Sequence, residues 1–425
     1  GNRLTLGTGS KGLTLPNTLT MDNVSSAIET KNVNLTLGKA LSLTSGSITS
    51  TGGTLTFTGG LTLGTAGALD VTGSTLSVSG ALDLSSGTFS SDNSSLDLQA
   101  ATTLSANDQV TGQDPVTFED VHFNGNVLTL GSASTHLKVN DALALSGIAL
   151  ETGAGSLTLS GALALTDNAS LNSSGGTITL KSGGTSAGSV VSLPGTTLVL
   201  EKALSLTGAT LKTNGTTFTT NANALTLSGG ILEVAGVQDL SGVLPDNSTT
   251  LRLAANSTID DNASLSVGTL DLANFALTLD DNMSRLSVAQ PVTLDNTGEK
   301  IVTGNADLSL NGGISVTAGT LSSTGGTLSL PGGATLASGA LFSTSNTTLN
   351  LGGSLAVAGT WSGSNTTSIS LTTDNASLSS TVALSLASLQ TNGHDFELAS
   401  ATTDLTIKNA FALSGSETLS TQGAD

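Results

Sequence analysis

The sequence predicts an all-β fold, a parallel β-helix (β-solenoid) wound in triangular coils of about 20 residues, and three observations carry that prediction. The first is self-similarity. Residues 40–100 read as successive laps of 20 or 21 residues, ALSLTSGSITSTGGTLTFTGG, LTLGTAGALDVTGSTLSVSG and ALDLSSGTFSSDNSSLDLQA. A fixed period of that length marks a solenoid in which each repeat is one layer. The second is alternation inside each lap, as in Leu41-Ser42-Leu43, which is the two-residue period of a strand with one buried face. The third is the spacing of the clusters TSG, STGG, SDNSS and SGG, where Gly and Asn tolerate the positive φ that tight corners need.

Taken in order, the first lap places Leu41, Leu43, Ile48, Leu55 and Phe57 inward, and the second places Leu61, Leu63, Leu69, Leu76 and Val78. The third gives Leu82, Leu84, Phe89, Leu96 and Leu98. Leu55, Leu76 and Leu96 are therefore expected to stack as one buried ladder. The offsets return at Leu143, Leu145, Leu150, Leu157 and Leu159, at Leu163, Leu165, Leu171, Ile178 and Leu180, and at Leu204, Leu206, Leu211 and Phe218. They return again at Ile314, Val316, Leu321, Leu328 and Leu330, then at Leu355, Val357, Ile369 and Leu371, with Trp361 near the middle position. Recurrent Gly and β-branched Thr exclude helix. Parallel strands about 4.8 Å apart would make roughly 20 coils into a rod of roughly 100 Å, read as one array over residues 1–425. The pattern breaks step at 101–140, 184–202 and 236–306, which reads as corner insertions or irregular coils. All six prolines fall near turn-like sequence, as residues that cannot donate to a ladder should.

A single coil cannot fold alone. Ordering about 20 residues costs about 20 to 40 kcal/mol, against roughly 8 to 15 from five buried aliphatics. Stability belongs to the array. The repeat runs to both ends of the sequence without a polar cap, which suggests an excerpt of a longer array or ends that pair with another chain.

Composition excludes several functions. A net charge of −19 with scattered lysines and only three arginines, Arg3, Arg252 and Arg285, is unsuited to nucleic acid or anionic membrane surfaces. The sequence has no run of 18 apolar residues and no secretory signal pattern. The absence of cysteine is compatible with export. Disorder is excluded because the 37% hydrophobic residues are periodic.

The most suggestive polar feature is a recurring turn, SDNSSL at 91–96, TDNASL at 166–171, DDNASL at 260–265, DDNMSRL at 280–286 and TDNASL at 373–378. Asp260, Asp261, Asp280 and Asp281 are candidate Ca²⁺ ligands, since a 20-residue separation places the two pairs one coil apart and hard cations favour oxygen clusters. Turn capping by Asp and Asn accounts for the same pattern and is the preferred reading, with no cofactor required. His122, His136 and His394 lack metal-ligand spacing and read as solvated or hydrogen-bonded strand residues. The only dense titratable cluster is Asp114, Glu119, Asp120 and His122, and it lacks the outlines of a known nucleophile or phosphate motif. Asn34, Asn93, Asn168, Asn262 and Asn375 head glycosylation sequons, which matter only in a host that modifies exported asparagines.

With GTLTFTGG, ALDVTGSTLSVSG and TFEDVHFNGNVLTLGSASTHLKVNDALALSG in view, the chain resembles the β-helical repeat region of large bacterial surface proteins, namely autotransporter passengers and filamentous-haemagglutinin-type adhesins. The resemblance implies an extracellular, non-enzymatic structural or adhesive element: a rod or spacer, or the subunit of a self-assembling filament. The expected partners are further copies of itself, end to end or laterally, together with glycans or a host surface. The rival expectation is a polysaccharide-binding or polysaccharide-cleaving β-helix, as in phage tailspikes or lyases. Ice binding is disfavoured, because outward Thr54 and Thr56 give way to Thr75 and Ser77, then to Ser95 and Asp97.

Overall fold

The computed structural model describes residues 1–106, 115–260, 264–374, 376–399 and 404–421. The chain divides into two compact units, one of Gly1–Lys212 with Thr216–Leu225 and the other of Thr213–Gly215 with Thr226–Asp425. Both are parallel β-solenoids, with about 19 turns of about 21 residues between them. One 3₁₀ turn, Ser364–Thr366, is the sole helical element among the described residues, and no helix there is long and apolar enough to cross a membrane.

In the first unit Leu35, Leu55, Leu76 and Leu96 oppose one another strand by strand, and none is more than 1% exposed. The expected ladder is therefore present, and it extends to Leu13 below and Val121 above. A second ladder runs through Leu41, Leu61 and Leu82, and a third through Ile28, Ile48, Leu69 and Phe89. Inside these ladders an aliphatic is covered by apolar side chains of the coils above and below, a burial worth about 1.5 to 3 kcal/mol per side chain. Apart from Ser77, which is buried between Leu76 and Val78, polar side chains at the intervening positions of these ladders face outward or lie half-buried, so the period of two seen in sequence is the period of burial. Corners close tightly. At Gly176, whose φ is +67°, a Cβ would lie 2.4 Å from the Gly155 carbonyl oxygen.

At 101–140 one sheet runs on, with Leu104 opposite Leu82 and Leu130, and Leu128 opposite Leu150, while its neighbours change over. The sheet ending in β1 (Ser95–Leu98) and β2 (Asp120–His122) goes no further, and a new one begins with β3 (Leu143–Ser146) and β4 (Leu163–Thr166). Another sheet starts at Val116–Phe118 and carries Leu137, Leu157, Ile178, Leu198 and Phe218 as its inward ladder. By contrast, 184–202 is no insertion. Strands Gly184–Ala187, Val190–Ser192 and Thr197–Leu200 keep parallel register with the coils on either side. Sequence periodicity fails there because Gly184 and Ser186 stand opposite Leu163 and Leu165.

The second unit has ladders of the same kind. Leu265, Leu286, Leu308, Leu328, Leu349, Ile369 and Leu389 form one, and Leu277, Ile301, Leu321, Phe342 and Trp361 another. Trp361 occupies the middle position as its spacing implied, with its ring centroid 4.9 Å from that of Phe342 and its Nε1 donating to Thr344 Oγ1 at 2.7 Å. Within 236–306 the strand Thr250–Ile259 is irregular: its pairing with Ile231–Gln238 shifts register between Leu253 and Ser257, and its two ends pair onward with Thr269–Asp271 and with residues 277–279.

A buried row of hydroxyls runs beside the aliphatic ladders. Thr30 and Ser74 each donate to Ser50 Oγ at 2.8 Å, and Ser50 donates to the Gly52 carbonyl at 2.9 Å. Thr196 donates to Ser173 at 2.8 Å, and in the second unit Thr347 donates to Ser323 at 3.0 Å. These hydroxyls satisfy one another and the corner carbonyls where the chain turns inside the core, as buried polar groups must.

Candidate functional site

Among the described residues, the DN segments at 91–96, 166–171 and 280–286 are turns. Asn93 has φ 52°, and Asp167 and Asn168 have φ 55° and 60°, the left-handed conformation that suits Asn and Asp. Asp167 Oδ2 accepts from Ser146 Oγ at 2.5 Å. At 280–286 the Asn282 amide donates to Asp280 Oδ1 at 3.1 Å, the Met283 amide to the Asp280 carbonyl at 3.0 Å, and Met283 is buried beneath. Asp281 Oδ1 accepts the Asn305 amide at 2.8 Å.

Asp260 and Asp280 do lie in adjacent coils, since Ile259 pairs with Leu279 and Asn282 Nδ2 reaches Asp260 Oδ1 at 3.5 Å. Asp261, Asn262 and Asn375 lie outside the described residues. Among the described residues there is no group of three or more His, Asp or Glu placed to hold a metal ion. The carboxylates of Asp280 and Asp281 accept backbone N–H groups at a corner.

Carboxylates elsewhere do the same. Asp246 accepts the Ser248 hydroxyl at 2.5 Å and amide at 2.9 Å on Oδ1, and Ser228 Oγ at 2.7 Å on Oδ2. The Ser248 hydroxyl first, then Ser228 and the Ser248 amide, hold its pKa well below the usual aspartate range. At the 373–378 turn, hydrogen bonding from His394 and then from the Asp395 amide lowers the pKa of Asp374. His394 Nδ1 lies 3.1 Å from Asp374 Oδ1, and His136 Nε2 lies 2.9 Å from Thr158 Oγ1. Both histidines are hydrogen-bonded turn or strand residues. Among the sequon asparagines, Asn34 Oδ1 accepts the Thr54 amide at 2.9 Å and so caps the coil above it.

The titratable cluster near 120 sits at the one place where the first unit's sheets change over. Asp120 and His122 lie on β2, with His122 Nε2 3.3 Å from Asp120 Oδ2. Glu119 Oε2 accepts Asn140 Nδ2 at 3.2 Å, and Asp114 lies outside the described residues. Between β2 and β3 opens a groove of about 680 Å³, lined by Asp120, His122, Phe123 and Asn124 on one wall and by Asp141, Ala144 and others on the opposite wall. Asp120 Oδ1 is shut off from water with no hydrogen-bond partner among the described residues. Sequence reasoning found Asp120 and His122 but missed Asp141, which lies some 20 positions away and reaches the groove only because the coil returns there.

No family model, curated protein or solved structure matches the chain.

Proposed function

We propose that the protein is an extracellular structural or adhesive β-solenoid, a spacer within a bacterial surface protein or a subunit that self-associates into filaments. The observation that supports this reading is the continuity of the inward ladders, such as the seven residues from Leu265 to Leu389 that oppose one another coil after coil. In such an array each coil draws its stability from both neighbours, so pulling one open breaks two interfaces. That is the mechanical property a spacer needs. The outward positions carry mainly Thr and Ser, for instance Thr177 and Thr179 or Thr327 and Ser329, which suit a hydrated surface that presents hydroxyls to a partner. Strand edges such as that of Arg3–Leu6, which pairs with Ala27–Thr30, can template a further strand from whatever adjoins them.

Two experiments test this reading. Antibody labelling of intact source cells is expected to decorate the surface; labelling only after permeabilisation would count against an extracellular role. Electron microscopy of the purified chain at high concentration and high salt is expected to show fibres, and dispersed particles there would remove the filament reading and leave the spacer.

A further inference from the structure

β2 and β3 stand in consecutive coils, yet no ladder joins them. Backbone pairing between the two coils runs through the Asn140 amide on the Phe118 carbonyl, 3.0 Å, and the Asp141 amide on the Glu119 carbonyl, 2.7 Å, and ends there. From that hinge the strands part around the groove. β2 is paired on its other side with β1, and β3 on its other side with β4. Each strand therefore turns one row of backbone N–H and C=O groups toward the gap, where an added strand could pair with it.

We propose that this groove is a slot for an extended basic peptide, bound by strand addition to β2, β3 or both. The backbone edges supply the affinity that strand addition uses. The side chains set the sign of the partner. Asp120 and Asp141 line the slot and Glu119 sits at its hinge, so a lysine or arginine on the incoming strand would find carboxylates to pair with. Ala142, Ala144 and Ser146, all small and exposed, leave room on the β3 wall for the alternate side chains of a guest. An oligosaccharide could engage the carboxylates, but it has no row of donors and acceptors at strand spacing to match the two edges. The slot is independent of the spacer reading, since it rests on a local break in one sheet.

The test uses the whole chain and a fluorescein-labelled heptapeptide of alternating lysine and valine, followed by fluorescence anisotropy at low salt. Saturable binding is expected, weakened about fivefold by Asp120→Asn or Asp141→Asn. Binding should vanish in Ala144→Arg and when alternate peptide amides are N-methylated. Hydrogen exchange should slow on binding at 120–122 and 143–146, and unchanged circular dichroism would show that the variants remain folded. Any one of three results would overturn the proposal: no binding to the folded native chain, equal binding of the N-methylated peptide, or no exchange protection at those strands. So would a glycan array in which a neutral oligosaccharide, and not the heptapeptide, binds and is lost in Ala144→Arg.

Discussion

Leu76 and Ser186 are both inward strand residues sealed from solvent, at 0% and 3% exposure, and their substitutions should act in opposite directions. Leu76→Asp places a carboxylate without a partner between Leu55 and Leu96, and a loss of at least about 4 kcal/mol is expected in denaturant melts. Ser186 Oγ is buried with no hydrogen-bond partner among the described residues, so Ser186→Ala removes an unsatisfied hydroxyl and should stabilise by up to about 1 kcal/mol. A drop in stability there would mean that the hydroxyl has a partner, such as a buried water. Asp246 gives a prediction in pH. Its folded pKa is depressed, so its contribution is fully present above the unfolded aspartate value of about 3.9 and is lost as the pH falls through the folded value. The stability gap between native protein and Asp246→Asn should be constant near neutrality and close progressively below about pH 4. A gap that closed instead between neutrality and pH 5 would exclude the hydrogen-bonded carboxylate as its source.

At the scale of the element, strands were legible because burial on one face imposes a period of two, and register follows from it. Leu55, Leu76 and Leu96 could be aligned from spacing alone for this reason. The coil at 184–202 was not legible, because Gly184 and Ser186 leave the hydrophobic pattern while the backbone ladder, which sequence does not display, carries on. The hydroxyl row did leave a signal. A buried Ser or Thr lies two residues after the middle aliphatic in many coils, as in Ile28 and Thr30, Ile48 and Ser50, Leu171 and Ser173, or Leu321 and Ser323. Reading Ser and Thr only as outward residues concealed it. Of the candidate site, Asp120 and His122 could be picked out as a cluster, whereas the groove depends on where one sheet stops and another starts. Strand and corner should also differ in tolerance. Deleting Thr158 from Ser156–Leu159 turns Leu159 outward and should unfold its neighbourhood. Two residues inserted between Ala187 and Gly188, a corner where an added Cβ would meet no atom within 4 Å, should cost less than about 1 kcal/mol. Limited proteolysis and thermal melts distinguish the two, and equal damage would mean that the hydrogen bond from the Gly188 amide to the Thr207 carbonyl, 2.9 Å, does not survive the insertion.

For the molecule as a whole, a charge of −19 carried on exposed and half-buried carboxylates creates a field that opposes the compact state and attracts any cation. Added NaCl should therefore raise the melting temperature, because the screening length falls from about 30 Å at 0.01 M to about 10 Å at 0.1 M. The same field would make calcium appear stabilising without any dedicated site, so chelator sensitivity alone does not decide whether Asp260, Asp261, Asp280 and Asp281 hold the ion. Ionic strength separates the two cases. Since Asp280 and Asp281 already accept the Asn282 and Asn305 amides, CaCl₂ and NaCl at equal ionic strength are expected to give similar melting temperatures, and Asp280→Asn should respond to calcium as the native chain does. EDTA, with ionic strength held constant, should shift neither. A calcium response that saturates well below the ionic strength needed for screening, and that disappears in Asp280→Asn, would instead make these aspartates ligands and the corner a calcium clamp between neighbouring coils.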